Sequence, residues 1–338
     1  MVEFAEIITD SQPTPFWANL REMGVEKAVI ALPRAYQDWR KSSFDHPWSY
    51  TSIALYQELL GEEELTVSVV EDNPPMENIR FGRPGREEEL EQVLVMIRAM
   101  GKLGIPTWCY NWAAGVGWVR TQMAMRGRGG ALVAGYDHAL IDHSDRCLYG
   151  TIDANALWEN LSWFLERVLP VAEVAGVRLA LHPDDPPVSA VRGISRIINS
   201  VDAYERLFDM FPSPANAMTL CQGNFTLFTD DLPAEITKFG EADRIAFAHF
   251  RDVKGTPEHF VETFHDNGQT DMLACMTAFE RVGYAGVMRS DHVPLMAGDT
   301  QTVPGYSNLG RLFAIGYMTG LREAARAATG SGSMPESQ

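Results

Sequence analysis

Cysteine is scarce: the chain has four in 338 residues, at Cys109, Cys147, Cys221 and Cys275, with no C-x-x-C pair among them. That scatter excludes a disulfide framework and a zinc ribbon, and it fits a reducing compartment. Positive charge is also short, since 28 Lys and Arg face 45 Asp and Glu for a formal net charge of −17. The deficit argues against nucleic acid or an anionic membrane as a partner. Apolar residues never run to the ~18 in a row that a bilayer span requires. The first residues, Met1-Val2-Glu3-Phe4-Ala5-Glu6, carry neither the basic nor the apolar region of a signal peptide. A cytoplasmic protein is expected, with no nucleic acid or membrane as partner; a homo-oligomer stays open.

What the chain does have is a set of short apolar runs that end on polar residues. Leu179-Ala180-Leu181 runs into His182-Pro183-Asp184-Asp185-Pro186-Pro187, where three prolines fix φ, remove backbone donors and stop a strand in a stiff loop. Ala217 to Leu220 runs into Cys221-Gln222-Gly223-Asn224, Ile245 to Ala248 into His249-Phe250-Arg251-Asp252, and Gly286 to Ser290 into Asp291-His292. These ends lie roughly 30 to 40 residues apart, room for a strand, a helix and two loops but not for a domain. Any one of them reads as structural by itself. Four in succession point His182, Cys221, His249 and Asp291 at one place. Two imidazoles, a thiolate and a carboxylate suit Mn²⁺, Co²⁺, Zn²⁺ or Fe²⁺ better than Ca²⁺ or Mg²⁺.

Upstream, Val2–Ile8, Lys27–Leu32, Leu65–Val70 and Pro106–Asn111 read as further strands. Helices are expected at about 51–60, Arg86–Leu103 with a clear amphipathic pattern, Leu157–Ala175, Gly193–Phe211, Pro233–Phe239, Gly268–Val282 and Leu309–Ala327. The glycine-rich stretch Gly115–Gly135 reads as a long loop or lid over the site. Eight alternating βα units predict a closed (β/α)₈ TIM barrel, an α/β fold. A composition of 46% hydrophobic and 22% charged residues allows one large core, so residues 1–328 are expected to form a single domain. Residues 329–338 have the composition of a disordered tail.

Strand alternation puts Arg251 on the side of His249, and Arg289 on that of Asp291. Arg251 is then a substrate anchor, while an ion pair with a loop acid such as Asp184 or Asp252 is the preferred reading of Arg289. His292 is the candidate general acid or base, although a regular strand would point it away from its neighbour Asp291. Tyr306, in the following loop, is its candidate partner acid.

Several of these motifs carry a family resemblance: Leu181-His182-Pro183-Asp184-Asp185-Pro186-Pro187, Cys221-Gln222-Gly223-Asn224, His249-Phe250-Arg251-Asp252-Val253, Asp271-Met272 and Ser290-Asp291-His292. With Val69-Val70-Glu71, Asn78-Ile79-Arg80, Cys109-Tyr110-Asn111 and Trp118-Val119-Arg120-Thr121, the chain resembles the mannonate dehydratases nearly throughout. The resemblance implies a xylose-isomerase-like barrel, Mn²⁺ on His182, Cys221, His249 and Asp291, and His292 with Tyr306 as the acid–base pair. It also implies loss of water from a sugar acid to leave a 2-keto-3-deoxy acid. Tyr110, Asn111 and Asp184, within the quoted motifs, join Arg251 as substrate-binding candidates. An isomerase or epimerase on the same metal barrel, or a sugar-binding metalloprotein without turnover, are the alternatives.

The chain departs from the family pattern at the mouth. Ala113-Ala114-Gly115-Val116-Gly117 replaces a Met-Pro-containing stretch with an acid, the first strand lacks an Arg-Trp-Phe-Gly, and Val293-Pro294 follows Asp291-His292 in place of Gly-Arg. The expectation is a wider site that favours a bulkier or modified sugar acid, unless the loop from Arg34 to Pro47, with Tyr36, Trp39 and His46, refills it.

Overall fold

Short runs of small and β-branched residues pack where side chains must fill a narrow interior, and they form eight strands here: β1 (Glu3–Ile8), β2 (Lys27–Ile30), β3 (Thr66–Glu71), β4 (Thr107–Asn111), β5 (Arg178–His182), β6 (Asn216–Cys221), β7 (Ile245–Phe250) and β8 (Val287–Ser290). In the computed structural model, which describes residues 2–34, 45–142, 144 and 147–330, all eight pair in parallel and β8 closes onto β1. Tyr36 and Trp39 of the expected mouth loop, and residues 331–338 of the tail, lie outside the described residues. His46 stacks on Trp48 at 4.7 Å between ring centroids.

Alternation sorts each strand into two layers. Inward residues such as Ala5, Val29, Val69, Ala180, Ala217 and Phe247 fill the barrel. Outward residues such as Trp108, Leu179, Met218 and Met288 join the larger core under the helices. Helices start where the sequence supplies a cap: the side chains of Ser49, Asp153, Ser200, Asp231, Asp271 and Ser307 each accept a backbone N–H of the first turn, which satisfies one of its orphan donors. The Arg86–Leu103 helix has the expected bounds. The last helix runs Asn308–Thr329 and ends on Gly330 in the left-handed conformation, so Thr329 is helical rather than part of a tail.

Two expectations are corrected. The stretch expected as a helix from Gly193 begins with a hairpin, Ala190–Val191 against Ile194–Ser195, and the helix spans only Val201–Met210. Arg192 and Gly193 turn that hairpin at φ 52° and 81°, a local geometry that helical periodicity cannot signal. Much of the expected lid is also regular. Gln122–Arg126 and Leu132–Asp137 form a hairpin that continues into His259–Glu262 and Val253–Thr256 as a four-stranded antiparallel sheet. At Gly135 a Cβ would meet Met125 Sδ at 2.4 Å, so a larger residue there would have to push the methionine side chain aside. No helix among the described residues is long and apolar enough to cross a membrane.

Candidate active site

The carboxyl ends of β5 to β8 bring the expected ligands together. Cys221 and His249 are register partners across β6 and β7. One ligand atom each of His182, Cys221 and His249 lies within 4.8 Å of the others. Asp291 Oδ2 completes the set, 3.5 Å from His249 Nδ1 and 3.9 Å from Cys221 Sγ. His182 Nδ1 is 2.7 Å from the carbonyl of Pro183; a carbonyl only accepts, so Nδ1 carries the proton and Nε2 presents a lone pair. That lone pair faces His249 Nδ1 at 3.2 Å.

Two of the donors already carry the charge a cation needs. At His249 burial and Arg289 oppose protonation, but Glu71 and Asp291 raise its pKa well above the ordinary imidazole value, so a cation binds there by displacing a proton. Burial alone would raise the Cys221 thiol, but Arg251 nearby and hydrogen bonds with His182 and His249 bring it down to about 5. Burial also opposes ionisation of Asp291, yet His292, Arg289 and His249 hold it well below the usual carboxylate range. A thiolate, a carboxylate and two imidazoles converging in a buried site fit a divalent cation. A second trio, Glu71, Cys109 and His249, is equally close-set but does not fit one. Glu71 already receives Arg289 Nε at 2.7 Å and Nη2 at 2.6 Å, and burial together with Glu71 raises the Cys109 thiol.

Arg251 is not in the place expected of it, while Arg289 is ion-paired as expected but with Glu71 and Asp291 in place of Asp184 or Asp252. Arg251 is not on the cavity wall: its guanidinium is fully buried and donates to Asp185 (2.9 Å), Asn224 (2.8 Å) and Glu262 (2.8 and 2.9 Å). β7 ends at Phe250, so alternation no longer governs Arg251. Arg289 lines the cavity, bridging Glu71 and Asp291. Asp184 is 2% exposed and turned away, bound to Arg196 and to the Ile198 N–H. Tyr110 borders the cavity, but its ring packs on Trp108 and Phe164 and its hydroxyl is buried without a hydrogen-bond partner. Asn111 faces the cavity with Oδ1 held by Arg80 at 3.1 Å.

His292 reaches the same wall as Asp291 because its backbone adopts φ 49°. For a non-glycine residue that left-handed conformation is strained, and it breaks the alternation that would have sent the ring outward. His292 Nδ1 lies 3.2 Å from Glu262 Oε1, and its ring meets Trp118 at 5.3 Å and Tyr306 at 6.0 Å between centroids. Tyr306 is 40% exposed, while desolvation at its hydroxyl and the Asp291 charge raise its pKa, so the phenol stays protonated near neutral pH. The cavity holds about 500 Å³, and Trp118, Met123 and Val303 line it as well.

Ala113 lines the mouth, but Gly115 does not open space there, because Cys147 Sγ and Phe81 occupy the place where a side chain would go. Glu71, Trp118 and Arg120 stood in motifs that carry the resemblance but had no role assigned, and Glu262 was not named from the sequence at all; all four surround the chemistry. The acid-rich end of β3 was a signal for Glu71. Glu262, on a strand outside the barrel, had none.

The family model described as D-mannonate dehydratase (UxuA) matches residues 17–148 and 144–331. The mannonate dehydratase of Thermotoga neapolitana is 35% identical over 340 residues, covering 89% of this chain and 91% of its own length. The crystal structure of mannonate dehydratase from Streptococcus suis serotype 2 superposes with a TM-score of 0.87 at 27% identity, covering 100% of this chain and 99% of that one. A xylose isomerase domain protein from Planctomyces limnophilus, with a TM-score of 0.60 at 10% identity over 98% of this chain and 99% of its own, shares the fold alone. The matched residues include the metal-ligand candidates on β5, β6, β7 and at the end of β8, and the chain belongs to the mannonate dehydratase family of sugar-acid hydro-lyases.

Proposed function

We propose that this chain dehydrates mannonate or a related aldonate to a 2-keto-3-deoxy acid, using Mn²⁺ held by His182, Cys221, His249 and Asp291. The observation that carries this reading is the placement of His292 and Tyr306 beside that donor set on one cavity wall, their ring centroids 6.0 Å apart. A cation bound there supplies Lewis acidity toward the carboxylate and neighbouring hydroxyl of the sugar acid.

The protein's own groups account for the proton movements. Neutral His292 takes the proton from the carbon next to the carboxylate. Tyr306, still protonated, donates to the hydroxyl leaving the next carbon, so that hydroxyl departs as water. The enol left behind tautomerises to the 2-keto acid, and the proton held by His292 restores Tyr306 through solvent. Arg289, paired with Glu71 and Asp291, sits where it can meet a substrate oxygen, and Asn111 is the polar contact on the opposite strand. Four free cysteines, three of them buried, support a reducing cytoplasm as the setting.

Incubation with a panel of aldonates, followed by NMR of the products, tests the reading. A 2-keto-3-deoxy acid is expected; epimers or ketoses alone would move the chain to the isomerase or epimerase class.

A further inference from the structure

Glu262 ends a strand of the antiparallel sheet outside the barrel and is 3% exposed. Its Oε1 receives Arg120 Nη2 at 2.6 Å, Arg251 Nη2 at 2.8 Å and Arg120 Nε at 3.1 Å, and its Oε2 receives Arg251 Nε at 2.9 Å. The same arginines share Asp185: Arg120 donates to both of its oxygens at 2.7 and 2.9 Å, and Arg251 Nη1 donates to Oδ2 at 2.9 Å. Two cations and two carboxylates thus form a charge-balanced cluster, buried except where Asp185 borders the cavity. Burial opposes ionisation of Glu262, but Arg251 and Arg120 bring its pKa down to about 2.

Beyond the two arginines, His292 is the remaining group on this carboxylate, its Nδ1 3.2 Å from Oε1. An ionised carboxylate only accepts. In the neutral imidazole the proton is therefore on Nδ1, which leaves Nε2 its lone pair. Nε2 lies 3.5 Å from Asp291 Oδ1, longer than the hydrogen bond from Nδ1 to Glu262, so Glu262 is the better-placed acceptor for the proton. Trp118, with the Arg120 guanidinium 4.6 Å from its ring centroid, meets the imidazole and limits its rotation.

We propose that Glu262 is a positioning residue for the dehydration: held by Arg120 and Arg251, it keeps His292 in the tautomer whose Nε2 can take the substrate proton. This rests on His292 being the acid–base group of the proposed function. A sheet outside the barrel would then be part of the catalytic apparatus. In Glu262→Gln the lone amide oxygen is claimed by the arginines and the NH₂ turns toward His292, which forces the opposite tautomer.

The expected result for Glu262→Gln is a fall in kcat of roughly 10²- to 10⁴-fold, from the loss of an outer hydrogen-bond partner up to that of a wrong-tautomer histidine, with KM within about 3-fold and metal content unchanged. Placed on His292→Gln, the same change should lower kcat by less than about 3-fold more, because the group it positions is already gone. Losses that multiply in the double variant, or a single variant with near-normal kcat, would overturn the proposal. Wild-type kcat in His292→Gln alone would remove the acid–base reading itself, a separate and recognisable failure. Should Glu262→Gln not fold, ¹⁵N NMR of histidine-labelled wild-type protein loaded with Zn²⁺, with His292 assigned by its loss in His292→Gln, gives the answer directly. A protonated Nδ1 supports the proposal, and a protonated Nε2 ends it.

Discussion

His182 Nε2 and His249 Nδ1 face each other 3.2 Å apart, with the Asp291 carboxylate 3.5 Å from the latter. Because His182 spends its other nitrogen on the Pro183 carbonyl, the pair needs a cation or a shared proton between its members. One divalent ion per chain is expected by elemental analysis. His182→Ala and Cys221→Ser should each lose most of it and at least about 100-fold in activity, since ligand number sets affinity. Metal at a hundred times its dissociation constant adds about 2.7 kcal/mol of stability. Chelation should therefore lower Tm by several degrees and added Mn²⁺ restore it; a Tm indifferent to both would count against the site.

Arg251 should behave as a structural cation. Arg251→Met leaves Asp185 and Glu262 buried with half their counter-charge, and breaking a buried pair from one side costs about 3–5 kcal/mol. Denaturant unfolding should show that loss. Arg289→Lys, on the cavity wall, should instead weaken substrate binding, because an ammonium cannot hold Glu71 through two parallel N–H bonds.

Tyr306→Phe removes a hydroxyl from a residue that is 40% exposed, so stability should change by no more than about 0.5 kcal/mol. If the phenol protonates the leaving hydroxyl, kcat should fall about 10²- to 10⁴-fold. Thermal melting and steady-state kinetics on one preparation separate the two effects.

Asp252 gives the protein a pH-dependent cost away from the cavity. Its Oδ1 accepts from the N–H groups of Val253, Gln269 and Thr270, yet burial outweighs these bonds and raises the carboxyl to about 6. A raised carboxyl binds its proton more tightly when folded, so its contribution falls as pH climbs from the unfolded value near 4 through the folded one. Asp252→Asn keeps the acceptor oxygen without the charge. Its stability relative to the parent should improve by roughly 2 kcal/mol between about pH 4.5 and pH 7.5, read from urea unfolding at each pH; a constant difference would contradict it.

The mouth is expected to set the substrate. Ala113 on the wall, a cavity of about 500 Å³ and the apolar Trp118, Met123 and Val303 favour a sugar acid carrying extra bulk over bare mannonate. Kinetics over plain and substituted aldonates should give the higher kcat/KM to a substituted one, by about 10-fold if one hydroxyl contact is missing. Mannonate as the clear best substrate would reverse this expectation and leave the metal and acid–base assignments untouched.

The sequence by itself determined the barrel and the convergence at its mouth. Period-two apolar runs ending on His182, Cys221, His249 and Asp291 can close a parallel sheet in few ways, and every such closure puts strand ends on one face. It also marked Val69-Val70-Glu71 at the end of β3 as one of the motifs that carry the resemblance. Tertiary structure decided what alternation could not carry past a strand end. Arg289 lies within β8 and keeps its direction, whereas Arg251 lies beyond β7, where the chain turns into another sheet and aims the guanidinium at Asp185 and Glu262. His292 shares a wall with Asp291 through a positive φ, a backbone state that no residue type in Asp291-His292-Val293 requires. Glu262 meets His292 from a strand 30 residues earlier in the chain. Local spacing encodes which face a side chain takes within an element; which remote charges neutralise one another in a buried site follows only from packing.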